Sequence, residues 1–314
     1  MTIRIILFGE CGFVGSNLLK FIKQDIIAPT LEQADFTNPD SLRQVIQPGD
    51  VVINAAGYAN ATDTTEHGRA LFQSINVDGV RNLAEVCKEM KAAQLIHISS
   101  VAAMGRLEGE GITEKMMKPV DSPYAESKLE GEKILTGFMN DIPITILRPT
   151  SVFGEGRGLA NTLCRIISKK TVPLPMGGSA KIPFTYIGNI ARCVELCIGR
   201  DSTYGQIFII GDSESYTLKS IVRSIAKAAG INVKIIPVPY AVAYIAARLA
   251  ETAASLRHGT PLLDRGRLHT LTTTVSYSID KFRKATGYTP PFNLDAAAEK
   301  IAMAYLKQTK NNNA

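Results

Sequence analysis

The 314-residue chain predicts a doubly wound parallel α/β sheet of about seven strands with a smaller C-terminal substrate-binding region. Three observations carry this. Short β-rich runs alternate with helical patterns through the first 150 residues or so. A glycine trio separates the first run from the first helix. Apolar residues make up 45% and charged residues 20% of the chain, ample for a core.

The elements follow in order. Ile3–Phe8 reads as a buried strand, followed by a Gly-punctuated turn and a helix over 13–23. A weak second strand falls at 25–28. Asn38 and Pro39 open a short helix to Val45, because Pro suits a first turn and Asn caps it. Strands at 50–54, 95–99 and 144–147 are separated by a long helix over 66–90 and another over 123–138. Ser122 caps the latter, with Pro123 at its first position. Beyond Pro149 the pattern loosens. Gly154 to Gly158 is a loop, 159–169 is helical, and 173–183 is a Pro/Gly-rich connector. A strand at 206–210 returns to the sheet, and helices dominate after Thr217, including an apolar one at 240–256. The predicted division is a coenzyme domain of residues 1–172 that also receives 186–228. A substrate region takes 173–185 and 229–314.

Lys and Arg number 35 against 29 Asp and Glu, a net charge of +6. That suits an anionic small ligand, but the basic residues form no run, so nucleic acid is not a predicted partner. No stretch approaches the ~18–20 apolar residues of a spanning helix, and the N-terminus lacks a secretory pattern. The five cysteines are odd in number, sit mostly in apolar contexts and form no Cys-x-x-Cys. Reduced thiols in a cytoplasmic protein without a metal site are the expectation.

Gly9-x-x-Gly12-x-x-Gly15 follows a strand and opens a helix, the context that gives a glycine motif meaning. Glycines leave room for a tight turn, for close approach of a pyrophosphate and for helix–strand packing. The helix start offers free N–H groups to phosphates. A dinucleotide is therefore expected. The end of the second strand carries neither a clear acid nor an Arg, so NAD and NADP both stay open; Glu32 reads as a solvated loop residue.

Tyr124 and Lys128 lie one helical turn apart on one face. A phenol with a pKa near ~10 is a poor base at neutral pH, and a nearby ammonium stabilises its anion. The lysine can also hold a ribose, and a serine hydroxyl at a strand end can donate to a substrate oxygen. The spacing alone is cheap, since Tyr277 and Lys281 repeat it. Context separates them: Tyr124 opens a helix and follows Ser100, which closes a strand. Tyr277 is read as structural, and His97 as a core residue.

These residues together resemble the extended short-chain dehydrogenase/reductase family, in its NAD-dependent epimerase/dehydratase branch for nucleotide sugars. The match runs through Gly9 to Gly15, Asp35-Phe36, Asn54 to Gly57, Asn76, His97 to Ser100, Tyr124 to Lys128, Arg148 to Gly154 and Lys284 to Pro290. The resemblance implies a Rossmann fold binding NAD or NADP, with Ser100, Tyr124 and Lys128 as the catalytic set. Coenzyme-binding residues would be Gly9, Gly12, Phe13, Val14, Gly15, Asp35, Phe36, Ala55, Ala56, Gly57, Asn76, Ser99, Tyr124, Lys128 and Pro149. Asp35 and Phe36 would flank the adenine, and Asn76 would brace the centre of the fold. It also implies a homodimer through the helices at 66–90 and 123–138.

The departures narrow the activity. Sugar dehydratases resemble this pattern but carry an Asp-Glu pair after the Ser, where this chain has Val101 and Ala102. Dehydration is therefore not expected. Ile182 and Asn189 stand where relatives carry an Arg and an Asp, leaving Lys181, Arg157 or Arg165 to supply charge for a diphosphate. The predicted activity is NAD(P)-dependent hydride transfer at a sugar carbon, as a nucleoside-diphosphate-sugar 4-epimerase or 4-keto reductase. The apolar helix at 240–256, Pro261 to Leu263 and Lys284 to Pro290 also resemble relatives that act on sterol-like alcohols, and Met104, Ile182 and that helix would then line a greasy pocket, a second reading. A non-catalytic coenzyme sensor is a third.

Overall fold

The computed structural model describes residues 3–61, 63–155, 158–256 and 263–311. Its first half is β1 (Ile5–Phe8), α1 (Phe13–Phe21), β2 (Ile26–Ile27), α2 (Pro39–Val45), β3 (Val51–Asn54), α3 (Glu66–Leu71), α4 (Gly79–Glu89) and β4 (Gln94–Ile98). A short strand β5 (Gly109–Ile112), helix α5 (Pro123–Gly137) and β6 (Ile144–Pro149) complete it. The strands form one parallel sheet in the order β11-β6-β4-β3-β1-β2, reversing direction of growth after β1. β11 is Gln206–Ile210, the predicted returning strand, in register with β6 from Gln206 opposite Thr145.

The central sheet has six strands, fewer than the about seven expected for this architecture. After β6 the extended segments pair elsewhere. β7 (Ser151–Phe153) joins β10 (Phe184–Tyr186), and β8 (Thr171–Pro175) joins β13 (Lys234–Val238). β9 (Lys181–Ile182) joins β12 (Tyr216–Thr217), and β14 (Val275–Tyr277) joins β5. The connector expected at 173–183 thus holds strand structure, possible because its prolines lie in a two-stranded ribbon and not in the central ladder. The remaining helices are α6 (Gly158–Ile167), α7 (Ile187–Cys197), α8 (Leu218–Ala228), α9 (Tyr240–Leu256), α10 (Arg265–Thr272), α11 (Asp280–Thr286) and α12 (Leu294–Asn311).

β1, β3, β4 and β6 are buried along their whole length, as strands covered by helices on both faces must be. Two cores result. One face packs against α2, α4 and α5 through residues such as Leu42, Leu83 and Leu135; the other packs against α1, α7 and the C-terminal helices. The predicted caps form: Asn38 accepts from Asp40 N–H and Ser122 from Ala125 N–H. Gly287 takes the left-handed conformation that closes α11, and buried Tyr288 then donates to the Gly211 carbonyl, fastening the C-terminal region to the end of β11.

The helix expected over 66–90 is interrupted. Residues Phe72–Asp78 form a π-helical turn between α3 and α4. Asn76 lies in that turn, and its carboxamide accepts from Tyr58 N–H and donates to the Tyr58 carbonyl and to Ser127 Oγ. Asn76 thereby ties the loop after β3 and the turn itself to Ser127 of α5. π turns concentrate at such functional positions.

Candidate active site

The turn after β1 leaves no room for side chains. Gly9 has φ of +91°, and a Cβ there would stand 2.5 Å from the backbone N of Ala56. A Cβ on Gly15 would stand 2.1 Å from the Gly9 carbonyl oxygen. The glycines therefore let β1, α1 and the end of β3 converge, and they leave the amino end of α1 open above the sheet. Gly12 is the N-cap residue of α1 and uses no side chain to cover the free N–H groups. Phe13 packs towards Gly154 and Ile187, and Val14 against the core. Ala55, Ala56 and Gly57 continue the rim. A Cβ on Gly57 would come within 3.3 Å of Lys128 Nζ, so this rim runs directly to the lysine.

Tyr124 lies in the first turn of α5, Lys128 one turn on and Glu132 one turn further. Ser100 ends the β4 segment, where its Oγ accepts from Ala102 N–H at 3.1 Å and its hydroxyl is hydrogen-bonded to Tyr124. Lys128 is buried and donates to the Ile98 carbonyl at 3.1 Å. The structure therefore brings Ser100, Tyr124 and Lys128 together, beside the glycine turn. Burial pushes the Tyr124 phenol up, and the Ser100 hydrogen bond works against that rise. Burial also brings the Lys128 ammonium down to about 8, with the Glu132 carboxylate opposing the shift.

Glu132 is a residue of the candidate site that sequence reasoning missed. It accepts two hydrogen bonds from Arg148 at 2.9 and 2.6 Å and one from Ser99 Oγ at 2.5 Å, all buried. A buried carboxylate one turn below the lysine was legible only as an i, i+4 pair; its Arg148 partner comes from β6. Ser99, expected at the coenzyme, spends its hydroxyl on Glu132. His97 is buried and its Nδ1 faces Asn54 Nδ2 at 3.1 Å. Desolvation and the Lys128 charge hold this imidazole well below its usual range, hence neutral.

Other expected residues are placed as follows. Asp35 Oδ1 accepts from Thr37 N–H at the edge of the sheet. The Phe36 ring is buried against Phe8, ring centroids 5.4 Å apart. Pro149 ends β6, buried beside Ile210. Tyr277 and Lys281 fall in β14 and α11, on separate elements, so they form no helical pair. Asn189 is buried and bonds Asp212 and the Phe292 main chain, a structural tie from α7 to the C-terminal segment.

A cavity of about 280 Å³ opens beyond Ser100. Val101, Leu107, Ile182, Phe184, Leu271 and Tyr277 give it a largely apolar wall, with Thr150, Ser151 and Thr270 as polar points and Arg106, Glu108 and His269 as ionisable ones. Tyr277 thus lines a cavity, beyond the structural role expected for it, and burial holds its phenol at about 12. Ile182 lines the cavity as expected. Met104 does not: it is fully buried in the core, because the 3₁₀ turn over Val101–Met104 folds it inward. Nor does α9 line it, since α10 stands between. Lys181 is paired with Glu110 at 2.6 Å, Arg165 is exposed on α6, and Arg157 lies outside the described residues.

Glycine cradle, Ser–Tyr–Lys set and doubly wound sheet define an NAD(P)-dependent enzyme of the extended short-chain dehydrogenase type. The chain belongs to the NAD-dependent epimerase/dehydratase family, whose model matches residues 5–211. It is 28% identical to a UDP-glucose 4-epimerase of Vibrio cholerae, covering 98% of this chain and 97% of the relative. It is 22% identical to an Escherichia coli O157:H7 N-acetyl-α-D-glucosaminyl-diphospho-ditrans,octacis-undecaprenol 4-epimerase, covering 96% and 94%. A Bacillus cereus UDP-glucuronic acid 4-epimerase, solved with UDP-4-deoxy-4-fluoro-glucuronic acid and NAD, superposes with a TM-score of 0.71 at 19% identity. That match covers 98% of this chain and 100% of the other.

Proposed function

We propose that this enzyme acts on a nucleoside-diphosphate sugar, as a 4-epimerase or 4-keto reductase. The observation that carries the reading is the convergence of Ser100, which lines the cavity, with Tyr124 and Lys128 beside the glycine cradle. Similarity over nearly the whole length to a UDP-glucose 4-epimerase supports the substrate class. In this reading the cradle from Gly9 to Gly15 receives the pyrophosphate at the start of α1. Asp35 and the main chain of Phe36 border the adenine, since the Phe36 ring is committed to the core. Residues 1–172 with 186–228 carry the coenzyme, and 173–185 with 229–314 the sugar.

Bound nicotinamide would supply the hydride acceptor and donor. The rest falls to side chains. Ser100 holds the substrate oxygen, and Tyr124 takes or returns its proton. The Lys128 ammonium favours the phenolate that Tyr124 must become, while Glu132 keeps that ammonium charged despite its burial. The helices α3, α4 and α5 are proposed as the homodimer face.

The apolar cavity wall favours a second reading, a hydrophobic alcohol or ketone as substrate. Turnover assays with UDP-sugars, dTDP-4-keto sugars and sterol-like ketones discriminate the two. Tyr124→Phe is expected to lower kcat by about 100-fold or more with coenzyme affinity retained, in the range that general acid–base groups contribute. Full turnover in Tyr124→Phe removes the mechanism.

A further inference from the structure

We propose that the outer face of α9, with the β8–β13 ribbon beside it, docks on an anionic lipid bilayer. Helix α9 is built inside out. Its small residues Ala243 and Ala247 are buried and pack on Leu268 of α10. Its large ones face water: Val242, Ile245 and Leu249 are 55%, 60% and 67% exposed. A helix that only covers a core places its large apolar side chains inward. Tyr240, Ile236 and Met176 extend the face, and Tyr240 stacks on Tyr244 with ring centroids 6.2 Å apart. Val238, opposite Pro175 in the ribbon, leads straight into α9, so ribbon and helix adjoin. Contiguous apolar surface of this kind marks an interaction site, and tyrosine is suited to the boundary between lipid and water.

Charge selects the occupant. The elements forming this face carry or border on Lys170, Lys234, Arg248, Arg265 and Arg267, against Glu251 and Asp264. The two acids are paired with Arg265 and Arg267. A basic border matches anionic headgroups. It disfavours a second copy of the chain: Arg248 is the middle residue of α9, so a two-fold pairing centred on the helix sets Arg248 against Arg248. Among the described residues no helix is long and apolar enough to cross a membrane. Helix α9, about 26 Å long at 1.5 Å per residue, lies along the surface instead. The opposite side of α10 lines the active cavity with His269 and Leu271, so a docked bilayer stands one helix layer from the site.

The test is sedimentation of the purified full chain with vesicles of phosphatidylglycerol and phosphatidylethanolamine, beside vesicles of phosphatidylcholine alone. Binding is expected on the anionic vesicles, weakened about fivefold by Arg248→Gln, the contribution of one basic residue near such a surface. The double variant Ile245→Glu with Leu249→Glu is expected to lose binding while keeping its melting temperature and coenzyme affinity, because neither residue touches the core or the cradle. These readouts do not depend on the sugar substrate. Absence of binding by the native chain overturns the proposal, as does undiminished binding by the double variant. So does a dimer, seen by light scattering without lipid, that the double variant dissociates, which assigns the face to a second copy.

Discussion

In the proposed mechanism the chemistry turns on Lys128, and its burial makes it sensitive to pH. Its ammonium titrates at about 8, below its ordinary 10.5. Above that pH the phenolate of Tyr124 loses its neighbouring cation, so kcat/KM is expected to fall with an alkaline limb near pH 8. Stability moves the other way. Between about pH 8 and 10.5 the unfolded chain still holds the proton that the folded chain has shed, so this group's contribution to stability rises with pH. Rate profiles and urea unfolding on the same samples check both signs; parallel loss of both refutes the assignment. The lysine and tyrosine were legible in the sequence because one helical turn separates them. The opposing push of burial was not, since it depends on how closely β3, β4 and α5 enclose the ammonium.

At the scale of elements, α5 and β6 are joined by the Glu132–Arg148 ion pair, whose side chains are 3% and 5% exposed. Both charges are removed from water, so deleting one strands the other. Glu132→Gln is expected to cost about 3–5 kcal/mol, read as a lowered urea midpoint with unchanged slope. A loss under about 1 kcal/mol, the worth of a solvated pair, refutes it. The sequence offered Glu132 only as a neighbour of Lys128; its partner is 16 residues away on another element. The same limit explains the ribbons after β6. Pro173 and Pro175 in β8, and Pro237 in β13, hide strands from pattern reading, because proline rarely sits within a central sheet. By contrast β1, β3, β4 and β11 were legible: buried runs rich in β-branched residues between glycines and helix caps.

For the whole molecule, the cradle and the Ser–Tyr–Lys set lie along the carboxyl ends of β1, β3 and β4, where open parallel sheets bind their ligands. Coenzyme binding should therefore stabilise the whole domain. At a hundredfold excess over Kd, NAD or NADP is expected to add about 2.7 kcal/mol, seen as a rise in melting temperature by calorimetry. No shift with either coenzyme refutes the reading of the cradle. The fold's outline was legible because repeating βα units carry their own punctuation. The apolar cavity was not, because the turn after β4, β9, β10, α10 and β14 meet there from distant parts of the chain.

The π turn at Phe72–Asp78 has a consequence for how the chain tolerates change in length. An ordinary helix running from Thr65 to Met90 would accommodate its buried stripe at 3.6 residues per turn. The wider turn carries more residues, yet Leu83, Ala84 and Cys87 beyond it still face the core. Because a π turn holds about one residue more than an α turn, a single-residue deletion there is taken up by tightening to the commoner pitch, and the helix after it stays in phase. The cost falls on Asn76, whose hold on the loop after β3 depends on its place in the turn. The extra residue thus serves the loop that Asn76 braces rather than the packing of the helix that follows it.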